Sequence, residues 1–76
     1  MKYSNSHLTK VFSSTSVTKK MLPVVAQQKL GIKTADDAIR FFYNKTLTQV
    51  TDDMRHLGVD EKSREIIFGL IGAPDA

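Results

Sequence analysis

The side chains best suited to chemistry in this chain of 76 residues are two histidines, His7 and His56, the hydroxyl run Ser13-Ser14-Thr15-Ser16, and three acidic pairs, Asp36-Asp37, Asp52-Asp53 and Asp60-Glu61. Nucleophilic catalysis needs a hydroxyl or thiol held against a base. There is no cysteine, and no serine is flanked by glycines as a nucleophile elbow would require. A triad of an N-terminal serine with His56 and an acid has nothing in the spacing to fix its geometry. Metal binding needs ligands grouped at turn or helix spacing, and the two histidines are far apart and neither belongs to a helical pair spaced like a ligand motif. Each acidic pair falls where a helix is expected to begin, and the positive end of a helix dipole explains it. His56 falls in the last turn of an expected helix, where a cation is favoured, so its expected role is structural. The four glycines, Gly31, Gly58, Gly69 and Gly72, form no phosphate-cradling loop. The expectation is a chain that binds and does not catalyse, with no metal and no cofactor.

Charge narrows what it binds. Residues 1–33 carry six lysines, Lys2, Lys10, Lys19, Lys20, Lys29 and Lys33, and no acid, for a charge of +6. All eight acids lie from Asp36 onward against five basic residues, which makes the second half −3. An acid-free lysine segment attracts polyanions by neutralising phosphates and releasing counterions. The alternative is a basic segment folding back on the protein's own acidic half. No apolar run approaches the roughly 18 residues that span a bilayer, and the first residues lack the apolar stretch of a secretory signal. With cysteine absent, a cytoplasmic location is expected.

The elements that would position these residues are mainly helical. Residues 1–16 are rich in Ser and Thr and read as a basic N-terminal arm, flexible or forming a short strand within Thr9–Thr15. Residues 17–76 read as a compact three-helix domain. Its first helix begins near Leu22-Pro23, with proline tolerated in the first turn, and ends at Gly31. The second is capped by Thr34, with Asp36 and Asp37 in its first turn. From there Ile39, Phe42, Tyr43, Leu47, Val50, Met54 and Leu57 fall in one sector about 140° wide. Thr51 is the candidate for a second start along this stretch. The third helix starts at Asp60, buries Ile66, Ile67, Leu70 and Ile71, and ends at Gly72, leaving residues 73–76 as a frayed tail. Phe41 lies opposite the apolar stripe, beside Thr34, Lys45, Thr48, Asp52 and Arg55, and Phe68 is displaced from the centre of its own apolar face. A displaced aromatic suits a protein partner or self-association. The alternative for Phe41 is coverage by Tyr3 or Phe12.

A helix-turn-helix register fails, because it sets Asp37 at the buried position of a recognition helix. The stretch Leu30-Gly31-Ile32-Lys33-Thr34-Ala35-Asp36-Asp37-Ala38-Ile39-Arg40-Phe41-Phe42 instead resembles the turn and second helix of ribbon-helix-helix DNA-binding proteins of the antitoxin type. The resemblance covers residues 30–42, with a turn one residue longer than the family's and with Pro23 inside the first helix. It implies a homodimer whose N-terminal strands, within Thr9–Thr15, enter the DNA major groove. Lys10 would then contact base or phosphate, and Thr34 would offer its cap and adjoining amides to a phosphate. The residues expected to meet nucleic acid are Lys10, Lys19, Lys20, Lys33 and Thr34. The expected function is a small dimeric DNA-binding regulator or antitoxin-like protein. The alternative is a protein-interaction module, an inhibitor or adaptor of a host protein of the phage or mobile-element kind. That module would dock on an acidic surface through Phe41, Phe68 and the lysines.

Overall fold

The computed structural model describes residues 1–12 and 22–76. Among the described residues five helices follow in order: α1 (Asn5–Val11), α2 (Val24–Leu30), α3 (Ala35–Phe42), α4 (Leu47–His56) and α5 (Glu61–Ile71). The mainly helical class is as expected, but the count of three is not. Two differences account for the extra helices, and each has a local cause.

The first lies in the N-terminal arm, whose described part carries a helix, α1, packed into the core. Ser4 caps α1 by accepting from the His7 amide at 3.1 Å, and Leu8 and Phe12, four residues apart, point to one side and are buried. Thr9, Lys10 and Val11 are therefore helical where a flexible arm or a short strand was expected, and Ser13, Ser14 and Thr15 lie outside the described residues. Among the described residues the only β pairing is an isolated antiparallel bridge between Lys2 and Thr46. Tyr3 extends it, its N–H donating to the Lys45 carbonyl and its own carbonyl accepting from Asn44 N, each at 3.0 Å.

The second difference is a break in the long helix. The chain leaves the helix at Tyr43 and turns through Asn44, the one non-glycine residue described with positive φ, at 60°. Asparagine tolerates this left-handed conformation better than most side chains. Thr46 then restarts the chain with a reciprocal capping box, exchanging hydrogen bonds with Gln49 at 3.1 and 2.8 Å. Thr51 does not cap: it sits inside α4, its hydroxyl donating back to the Leu47 carbonyl. The turn rotates the apolar stripe, so Phe42, Val50 and Met54 are buried while Tyr43, Leu47 and Leu57 are exposed.

Elsewhere the expected signals operate. Pro23 precedes α2, and Gly31 ends it in the left-handed region at φ 69°. Thr34 and Asp37 form the capping box of α3. Asp60 caps α5 through Ser63, and Gly72 closes it. The core gathers around Phe42, whose ring meets Tyr3 edge-on at 6.3 Å and stacks on Phe12 at 5.9 Å.

The C-terminal tail is tied to the start of the chain. Lys2 and Ala76 exchange backbone hydrogen bonds, and Ser4 donates to the Asp75 carboxylate from both its N–H and its hydroxyl, at 3.2 and 2.9 Å. The Tyr3 hydroxyl donates to Gly72 O at 2.7 Å, and His7 Nε2 sits 2.5 Å from Ile71 O. These bonds fasten α1 onto the end of α5, so Asp75 and Ala76 are held where fraying of residues 73–76 was expected.

Candidate binding surfaces

The N-terminus of α3 brings Lys33 and Thr34 together, but its amides already hold an anion. The Asp37 carboxylate accepts from Lys33 N at 3.0 Å and Thr34 N at 3.2 Å, while Thr34 Oγ1 accepts from Asp37 N. These backbone donors hold the Asp37 carboxyl below the usual carboxylate range. A phosphate arriving here meets a negative charge seated on the donors it would use.

The described lysines of the first 33 residues stand on different elements. Lys2 is in the extended start of the chain, Lys10 lies in the last turn of α1, and Lys33 is exposed beside Thr34. Lys29 donates to Gly58 O at 2.6 Å, fastening α2 to the turn after α4. Lys19 and Lys20 lie outside the described residues.

Phe41 is half-buried against the core. Its ring meets Phe42 edge-on at 5.0 Å, and Lys45 Nζ lies over it, 4.1 Å from the centroid. The same ammonium pairs with Asp53 at 2.8 Å. Lys45 therefore covers this ring, while Tyr3 and Phe12 meet Phe42 instead.

Phe68 is placed differently. With Leu47, Thr51, Gly72 and Ala73 it lines an open, mainly apolar cleft of about 370 Å³ between the start of α4 and the end of α5. Leu47 is 46% exposed at its mouth. The Thr51 hydroxyl is satisfied by its own helix, so it makes no polar demand on an occupant. The sequence signal for Phe68 was its displacement from the apolar face. Leu47 gave none, because periodicity without the break at Asn44 assigns it to the core.

Another cleft, of about 390 Å³, opens along the outer face of α2 and is lined by Val24, Gln27, Gln28, Gly31, Ile32 and Lys33. Val24 is 64% exposed and its neighbour Val25 49%. Only Ala26 of this seven-residue helix is buried. That surface too went unread in sequence, although two consecutive valines beside a single small core residue are its signature.

Among the described residues no group of three His, Cys, Asp or Glu side chains is arranged to hold a metal ion, and no helix is long and apolar enough to cross a membrane. No protein-family model, no curated protein and no solved structure matches the chain.

Proposed function

We propose that this chain is a small non-enzymatic protein-interaction module, an adaptor or inhibitor, that docks on a partner protein through the apolar cleft between α4 and α5. The observation that carries the reading is Leu47 standing half-exposed beside Phe68 in a concave surface with few polar demands. Large apolar groups in concave surroundings are where protein interfaces concentrate their binding energy. The helical arm supports this reading over ribbon-type DNA recognition, since Thr9–Val11 are committed to the core-packed α1. The test is co-purification from the source cells with Leu47→Asp beside the wild-type chain, both checked as folded by circular dichroism. A protein retained by the wild type and lost by the variant is expected. Equal retention by both contradicts the assignment.

One observation favours a second reading, binding of DNA: the first 33 residues hold six lysines and no acid. If DNA is the partner, affinity for a duplex falls steeply as salt rises. Absence of binding by the folded chain at low salt eliminates that reading.

A further inference from the structure

We infer that the cleft on α2 is a separate docking surface, and that its occupant is an acidic protein segment carrying a large apolar side chain. The inference does not rest on the α4–α5 cleft, which lies on other elements. Val24 and Val25 occupy the first turn of α2 and are 64% and 49% exposed, so the helix leaves both valines outside the core, while Leu30 at its far end packs against it. Val24 continues into the floor of the cleft with Ile32, and Lys33 stands on its rim. An occupant must therefore supply apolar surface to the floor and negative charge to the rim.

Charge complementarity identifies the class of occupant. The elements that build this surface belong to a stretch without acids, the first being Asp36 at the start of α3. Two acids that reach this stretch, Asp37 and Asp60, are already engaged. Asp37 is turned onto the Lys33 and Thr34 amides, and Asp60, whose field reaches Lys29, holds Ser63 by two hydrogen bonds. No carboxylate of the chain bonds to the Lys33 side chain among the described interactions. A nucleic acid would satisfy the lysine but set its phosphates and sugars against the valines. An acidic peptide satisfies both, with a carboxylate on Lys33 and an apolar side chain against Val24 and Ile32. Gln28, exposed on the cleft wall, offers a donor and an acceptor to the peptide backbone.

The test is selection of a random peptide library on the immobilised full chain, followed by affinity measurement of the enriched peptides and of a DNA duplex. Val24→Ser and Lys33→Glu are the informative variants, because both positions are exposed and neither substitution touches the core. Enriched peptides that are net negative, carry a large apolar residue, and lose roughly tenfold in affinity with either variant are the expected result. Neutral or basic consensus peptides, no enrichment, or peptides indifferent to both variants overturn the inference. So does a duplex that binds more tightly than the peptides and depends on Lys33 but not on Val24, which assigns the surface to DNA. Peptides that lose affinity only with Leu47→Asp sustain the α4–α5 docking reading while overturning this one, so the two fail separately.

Discussion

Helices α1 and α2 have the same length, seven residues each, and the same acid-free basic stretch, yet they are held in opposite ways. Around α1, Tyr3, Leu8 and Phe12 are buried, Ser4 caps the start, and the C-terminal tail clasps it. In α2 only Ala26 is buried, proline stands at the cap with no side-chain hydrogen bond, and both valines face outward. Neither sequence is long enough to be a stable helix alone, so each persists through what it packs against. The difference teaches where a small domain spends its large side chains. Leu8 and Phe12 of the α1 region build the core, whereas the two valines that open α2 remain on the surface.

This contrast is breakable at graded cost. The largest effect is expected from Phe12→Ala, which removes a ring stacked on Phe42. A loss of about 3–5 kcal/mol in urea unfolding is expected, enough to unfold much of so small a domain. Next comes Gly31→Ala at the end of α2. Its φ of 69° is strained for any side chain although a Cβ there meets nothing within 4 Å, so a cost of about 1 kcal/mol is expected from backbone conformation alone. Ser4→Ala removes the α1 cap and its bond to Asp75, again at about 1 kcal/mol. Val24→Ser should change stability by less than about 0.5 kcal/mol, because the side chain is mostly exposed. A large loss there would mean that α2 is anchored as α1 is.

A pH measurement sharpens the same comparison. Asp75 is held below its ordinary value of 3.8 first by the Ser4 hydroxyl, against a smaller opposing effect of burial. A carboxylate with a lowered folded pKa contributes stability above its unfolded pKa and loses that contribution as pH falls through the folded value. Stability should therefore decline on acidification below about pH 4, with Asp37 and Asp60 adding in the same direction. Asp75→Asn should flatten part of that slope in pH-dependent unfolding. An unchanged slope would show that the clasp contributes nothing through its charge.

The starts and stops were legible where a single residue enforces them. Pro23, Gly31, Thr34, Asp60 and Gly72 each did what its backbone or side chain favours locally. What escaped depends on groups distant in sequence. Serines and threonines near the start suggested an arm, but Ser4 caps α1 and also donates to Asp75, 71 residues away. Asn44 fell inside a stretch read as one helix, yet its N–H donates to the Tyr3 carbonyl while the Lys45 carbonyl accepts from the Tyr3 N–H, and that pairing accompanies the turn that splits the helix. Once the helix splits, Leu47 leaves the core and joins Phe68, so the cleft proposed to bind a partner was unreadable from periodicity. Phe41, expected opposite the stripe, is half-buried against the core, and its cover is Lys45, one turn along the chain.

The central claim is that this chain binds a protein through the surface where Leu47 and Phe68 meet, and partner retention by the wild-type chain against Leu47→Asp tests it most directly. Loss of the retained protein with unchanged helicity and unfolding midpoint is the expected result. Undiminished retention by a folded Leu47→Asp chain would contradict it.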